Sequence, residues 1–156
     1  MAGELKLRHS PISIVSDLLR SEDRFAWETL ARGYKEFYKT PTSDEEYDTA
    51  WKRLLQQDAV FGLGAKVDGK LVGIAHFLFH TSIWAPKVCY LQDLFTLHEA
   101  RGRGVARALI QAVAQEARKH SARRYYWLTH EDNAVARALY DKVGKYNGFI
   151  RYDFSL

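Results

Sequence analysis

The seven residues Arg101-Gly102-Arg103-Gly104-Val105-Ala106-Arg107 place two glycines and three arginines at the start of an apolar helical repeat. Glycines one residue apart let the backbone turn tightly and come close to a ligand. The helix that follows offers unpaired N–H groups and the positive end of its dipole. Together these features make a site for a phosphate-bearing molecule. A P-loop would need Gly-Lys-Ser/Thr after the glycines, and the chain has none there. A dinucleotide fingerprint would need Gly or Ala where Arg107 stands, and an acidic residue about twenty positions on, where Arg123 and Arg124 stand. Downstream, Tyr140 follows Asn133 by seven positions. At about 100° per residue both lie on one helix face, roughly 10 Å apart along the axis, so one helix can touch a long thin ligand twice. Taken singly, each is more ordinarily an N-cap and a core aromatic.

Other reactive side chains carry weaker signals. His76 and His80 share a strand face, but no metal-ligand spacing accompanies them, and core or surface histidines are the commoner reading. Cys89, the single cysteine, sits in an apolar run and reads as a buried inert thiol. It excludes an intrachain disulfide and a cysteine metal cluster. The cluster Asp44, Glu45, Glu46 and Asp48 reads as acidic residues complementing a helix N-terminus rather than as a cation site.

The elements that must position these residues follow from periodicity. Residues Ile12 to Leu19 read as a first strand. Ser21 reads as an N-cap, with Ala26, Leu30, Tyr34 and Phe37 at helical spacing as far as Tyr38. Ser43 and Glu46 match a capping box for a second helix carrying Tyr47, Trp51 and Leu54/Leu55. Residues 59–67 and 71–80 flank Asp68-Gly69, a hairpin turn, and 88–97 form a further strand. Gly104 to His120 is amphipathic, with Val105, Leu109, Ala112/Val113 and Ala117 on one face. Arg124 to Thr129 is a buried-type strand, Asn133 to Gly144 a helix, and Phe149 to Phe154 a final strand alternating aromatic and polar residues. The order predicts a mixed α/β sheet: an antiparallel meander feeding a parallel, right-handed strand–helix–strand crossover, with helices on both faces.

The 156 residues suit one domain over 1–156, with 1–11 as a loose arm. Hydrophobic content of 47% and charged content of 27% are those of a folded globular chain, and exclude a disordered one. The net charge of +4 suits a polyphosphate ligand as well as nucleic acid. Arg123-Arg124-Tyr125-Tyr126 only faintly matches a nucleic-acid surface, so nucleic acid is not expected as a partner. No apolar stretch approaches a membrane span, and the opening MAGELKLRHSP lacks the apolar core of a signal peptide; a cytoplasmic location without membrane attachment is expected.

Arg101, Gly104 and Ala106 also fill, in register, the pattern Arg/Gln-x-x-Gly-x-Gly/Ala. With Tyr90-Leu91-Gln92-Asp93-Leu94-Phe95, Trp127 to Asn133 and Ala138-Leu139-Tyr140, the chain from Ile12 to Phe154 resembles the GNAT superfamily of acetyl-CoA-dependent N-acetyltransferases, near the diamine and histone-type members. The resemblance implies acetyl-CoA as cosubstrate and no metal. The amides of Gly102, Arg103, Gly104, Val105, Ala106 and Arg107 would hold the pyrophosphate, with Arg101 beside them. The backbone of Leu94, Phe95 and Thr96 would pair with the pantetheine arm as an added strand. Asn133 and Arg137 would join the cofactor contacts, and Tyr140 would stand beside the sulfur. A homodimer is expected on the same ground.

Acetyl transfer to an amine poses three problems. The amine must lose its proton (reference pKa about 10.4), negative charge on the thioester oxygen must be stabilised, and the leaving thiolate benefits from a proton. Backbone N–H groups near Leu94 to Thr96 are the natural oxyanion donors, and Tyr140 the proton donor. Asp93 is either the base, directly or through water, or a structural carboxylate; His130 and Glu131 are also near in sequence. Diamine acetyltransferases of this family often carry Glu-Asp where this chain has Gln92-Asp93, and Gln92 cannot neutralise a second ammonium. The acceptor pocket is expected at the end of the first helix, with Tyr34, Glu36, Phe37 and Tyr38, and with Trp127 and Tyr152 as an aromatic wall for a cation. The expected acceptor is a small-molecule primary amine; a protein or peptide amine and a non-catalytic acyl-CoA-binding module are the alternatives.

Overall fold

The computed structural model describes residues 12–156, so the expected arm over 1–11 lies outside the described residues. The chain divides into two compact units, the first ending at Tyr126 and the second spanning Trp127–Leu156. The elements in order are β1 (Ile14–Leu18), α1 (Arg24–Phe37), α2 (Asp44–Gln56), β2 (Val60–Val67), β3 (Lys70–His80), β4 (Val88–Thr96), α3 (Val105–Lys119), β5 (Tyr125–Trp127) and α4 (Ala134–Val143). The sheet runs β1-β2-β3-β4-β5, with β1/β2, β2/β3 and β3/β4 antiparallel. Arg123 N–H bonds Lys87 O and Cys89 N–H bonds Arg124 O, both chains rising together, as a parallel pairing requires.

In the first unit the strand period of two sorts β3 onto two helical layers. Ile74 and His76 face α1 and α2: Trp27, Leu30, Ala31, Tyr47, Trp51 and Leu54 close over Leu19, Leu71 and Ile74 as one apolar cluster. Gly73, Phe77 and Phe79 face the other way, towards α3. A Cβ on Gly73 would lie 2.7 Å from Val105 and 3.0 Å from Leu109, so glycine there lets the helix lie directly on the strand. Phe79 stacks on His120 at the end of α3, with ring centroids 4.5 Å apart. Helices therefore cover both faces, as the sequence predicts.

Local chemistry explains most boundaries. Asp68 and Gly69 both take positive φ (51° and 78°), the geometry of the tight hairpin. Ser43 and Glu46 form the expected capping box. The acidic cluster is structural: Asp44 and Asp48 each bond an arginine of α1, Arg32 and Arg24, at 2.5 Å. Cys89 is fully buried in β4, and burial pushes its thiol up to about 12.

Three expectations are corrected. Ser21 does not cap α1; Ser21–Asp23 form a single 3₁₀ turn, and the Ser21 hydroxyl donates to Glu22. The acceptor in this turn is Asp23, a carboxylate that takes Arg20 N–H (2.9 Å) and Lys66 Nζ (2.7 Å) and so outcompetes a hydroxyl. The final strand over Phe149 to Phe154 is not formed, and Phe149, Tyr152 and Phe154 are each at least 85% exposed. Alternation describes a segment suited to one buried face; it supplies no neighbouring strand to pair with. β5 is also shorter than the expected Arg124 to Thr129.

Candidate functional site

The glycine loop is built by backbone. After β4 and the 3₁₀ turn His98–Ala100, residues Arg101 to Gly104 form an exposed turn into α3. Gly102 (φ 72°) and Gly104 (φ 84°) are left-handed, and a Cβ on either would meet nothing within 4 Å. Backbone conformation, not crowding, selects glycine here, and the loop surface is open to a ligand. Ala108 N–H donates to Gly104 O at 3.0 Å, the first bond of the helix; the N–H groups before it have no helical acceptor and remain for an anion. Arg101 serves the protein itself: its Nε donates to Thr96 O (3.3 Å) and its guanidinium lies 5.9 Å from the Phe95 ring. Arg103 and Arg107 are exposed.

β4 divides its backbone between two sides. Leu97 N–H bonds Val72 O, and Phe95 pairs with Ile74. Alternation then turns the N–H and C=O groups of Leu94 and Thr96 away from β3, while those of Phe95 face it. Of the three residues expected to meet the pantetheine, Leu94 and Thr96 present outward backbone groups. The Thr96 hydroxyl is buried and has no hydrogen-bond partner among the described residues, an orphan at the point where β4 gives way to the loop. An extended polar arm laid along this edge and an anion at the loop both fit these residues.

Beside that edge the register slips by one residue: Phe77 pairs with Leu91 but His76 pairs with Asp93, leaving Gln92 as the extra residue of a β-bulge. The bulge brings Asp93 to the His76 face, where α1 lies. Trp27 Nε1 donates to His76 Nε2 (2.8 Å), and His76 Nδ1 meets Asp93 Oδ2 at 2.9 Å. An indole N–H only donates, so Nε2 is the acceptor and the ring proton sits on Nδ1, donated to Asp93. Burial alone would raise Asp93; the His76 hydrogen bond, the charge that ring carries whenever it is protonated, the Tyr34 hydrogen bond and the nearby Lys35 charge lower it, and together they hold it below the usual carboxylate range. Burial and the Asp93 charge push the Tyr34 phenol up, so it keeps its proton and donates it to that carboxylate. Tyr38 is raised by the same two causes, and its ring lies 4.9 Å from Tyr34 and 5.0 Å from Phe37. Gly33 lets α1 approach: a Cβ there would be 2.8 Å from the Phe95 ring. Of the residues expected in the acceptor pocket, Tyr34 and Tyr38 thus gather at Asp93, while Glu36 is exposed and Gln92 is exposed on the bulge.

The second unit holds the remaining candidates. Asn133 Oδ1 accepts from Ala136 N–H (3.4 Å) and its Nδ2 donates to Thr129 (3.2 Å), which makes it the N-cap of α4. Arg137 donates to Glu131 O (2.6 Å) and lies over the Tyr146 ring. Tyr140 meets Trp127 edge to face at 5.5 Å, and Trp127 also packs on Gly144. Tyr152 is exposed on the C-terminal run.

Sequence reasoning missed His76 and Trp27. Without the bulge, Gln92 rather than Asp93 would oppose His76, and no residue type announces a one-residue slip.

The acetyltransferase (GNAT) family matches residues 25–145. The chain is 32% identical over 134 residues to the D-amino-acid N-acetyltransferase HPA3 of Saccharomyces cerevisiae, covering 83% of each protein. It is 29% identical over 112 residues to the thialysine N-epsilon-acetyltransferase of Caenorhabditis elegans, covering 72% of this chain and 70% of that one. Among solved structures, a ribosomal-protein-alanine N-acetyltransferase from Brucella melitensis biovar Abortus 2308 superposes with a TM-score of 0.79 at 26% identity, covering 92% of this chain and all of that one (100%). The chain belongs to the acetyltransferase (GNAT) family. It is an enzyme, an acetyl-CoA N-acetyltransferase of GNAT type.

Proposed function

We propose that this enzyme moves acetyl from acetyl-CoA to a primary amine of a small molecule (an amino acid, a polyamine or an aminoalkyl compound) by direct attack in a ternary complex, the whole chain serving as one N-acetyltransferase domain. The observation that carries this reading is the ionised Asp93 carboxylate, held beside Tyr34 and Tyr38 next to the outward backbone of Leu94 and Thr96. An anion among aromatic rings suits an ammonium group. The names of two relatives agree: one acts on D-amino acids, another on thialysine.

The roles follow from the chemistry. Amides from Gly102 to Arg107 receive the pyrophosphate, and the outward groups of Leu94 and Thr96 receive the pantetheine arm. Arg101 fixes the loop to β4. Asp93 draws in the acceptor ammonium and is the first group its proton meets; a carboxylate held low is a weak base, so the proton passes on to water. The amine nitrogen then bonds to the acetyl carbon as the carbon–sulfur bond breaks; Tyr140 gives its phenolic proton to the departing sulfur, and the second proton that the nitrogen sheds on becoming an amide passes through water to restore the phenol. Gln92 can hydrogen-bond the acceptor without adding charge. Trp127 and Tyr152 are assigned to the acceptor's aromatic surroundings, and Asn133 and Arg137 to shaping the turn that opens α4. No metal takes part in this reading. A homodimer and a cytoplasmic location go with it.

The test is thiol release from acetyl-CoA at pH 8 against polyamines, L- and D-amino acids, aminoalkyl phosphonates, a lysine-rich peptide and a peptide with N-terminal alanine. Turnover of a small amine supports the proposal. Turnover of peptides alone transfers it to the protein-acetylating reading, which the ribosomal-protein-alanine relative favours. Tyr140→Phe should keep acetyl-CoA affinity and lose roughly 10²- to 10⁴-fold in kcat; an unchanged kcat removes Tyr140 from the mechanism.

A further inference from the structure

Trp27 and His76 lie behind Asp93, and acetyl transfer as described uses neither of them. Trp27 is 1% exposed, anchored by Trp51 (ring centroids 4.9 Å) and Tyr47 (6.5 Å), so its N–H has one direction to point. It points at His76 Nε2. A second proton on this imidazole would have to enter at Nε2, against the indole N–H, and would leave that buried donor without an acceptor. A cationic imidazole at 2.9 Å would neutralise Asp93; a neutral one only donates to it and leaves its charge available. The carboxylate has about four acceptor positions, of which His76 and Tyr34 take two.

We propose that Trp27 and His76 are positioning residues for the acceptor side: the indole locks the imidazole in its neutral Nδ1–H form, and that form orients Asp93 while leaving its negative charge for the substrate ammonium. This deepens the function proposed above and rests on it only for the identity of the ammonium. The charged and titratable groups facing the pair are Asp93 and Tyr90 from β4, and Arg24, Tyr34, Lys35 and Tyr38 from α1; the Arg24 guanidinium lies 5.3 Å from the Trp27 ring. From α2 come Tyr47 and the Trp51 indole.

The deciding experiment needs no substrate. In ¹⁵N-histidine-labelled full-length protein, NMR at pH 7 should show His76 as the Nδ1–H tautomer. In Trp27→Phe, which removes the donor that fixes Nε2 as the acceptor, the same ring should populate the Nε2–H tautomer as well. An Nε2–H tautomer or a doubly protonated ring at pH 7 in the unmodified protein, or the same tautomer population with and without the indole, would overturn the proposal. Kinetics with the best amine of the panel give the functional arm. Trp27→Phe should raise the amine KM at least fivefold at pH 8, leaving the acetyl-CoA KM alone. His76→Asn, which can donate an amide N–H to Asp93 and has no second tautomer, should lower the amine KM again when combined with Trp27→Phe. Equal rises in both KM values would mark a merely structural role. Should no amine be turned over, the function proposed above fails, and the NMR arm still decides the tautomer lock.

Discussion

The glycine loop and the Asp93 cluster lie at the two ends of one short stretch of chain, and they are made of different materials. The loop presents backbone: Gly102 and Gly104 hold left-handed conformations in open space, and Arg101 is turned back onto Thr96. The Asp93 cluster presents side chains from α1, β3 and β4, each fixed by the next. A backbone site reads what every acyl-CoA shares, and tolerates change at most of its side chains. A side-chain site reads one acceptor, and a single substitution alters what it reads. With the loop assigned to the cosubstrate and the Asp93 cluster to the acceptor, as proposed above, the difference predicts that cosubstrate use and acceptor choice are separable, and that prediction can be attacked from either end.

The largest effect is expected at the loop. Gly104→Val forces a β-branched residue to φ 84° and puts a side chain where the ligand backbone contact belongs. Acetyl-CoA affinity measured by calorimetry should fall by about 100-fold or more, with the fold retained by circular dichroism; unchanged affinity would break the assignment of the loop. Asp93→Asn should come next, raising the amine KM by about tenfold, the scale of one charge-assisted contact, while the acetyl-CoA KM stays put. If both KM values rise together, the two regions are not separable.

The same carboxylate gives a pH prediction. Its pKa is lower in the folded state, so its contribution to stability is complete above the unfolded value, near pH 4. That contribution is lost as pH falls through the depressed folded value. Denaturant titrations from pH 5 down to pH 2 should therefore show Asp93→Asn losing less stability than the unmodified chain; parallel losses would mean that Asp93 is not held ionised by its neighbours. The smallest effect lies outside both regions. Ser43→Ala removes the hydroxyl that accepts Glu46 N–H and should cost about 1 kcal/mol by denaturant unfolding, with both KM values unchanged.

This contrast also explains what the chain discloses before it is folded. Positions that demand special backbone geometry are written in residue type. Asp68-Gly69, the Ser43/Glu46 box and the Gly102/Gly104 loop are each legible because few residues satisfy those conformations. The helical faces of α1 and α3 are legible from apolar spacing. The Trp27–His76–Asp93 chain is not, because it depends on a slip at Gln92 that moves Asp93 to another face of the sheet, and a slip of one residue leaves composition and periodicity unchanged. The run from Phe149 to Phe154 misleads for the opposite reason: its alternation is clear, yet a strand exists only with a neighbour, and these side chains are exposed.

Cys89 supplies a built-in clock. Its sulfur is sealed in β4, its backbone N–H is tied to Arg124, and its thiol is held protonated. A colorimetric thiol reagent in the turnover assay therefore counts only the CoA released, with no contribution from native enzyme. Over hours the same reagent reaches this sulfur only when the start of β4 parts from its neighbours, so the slow uptake of one label per chain records how often the sheet opens. A cosubstrate that lies along β4 as an extra strand should slow that clock.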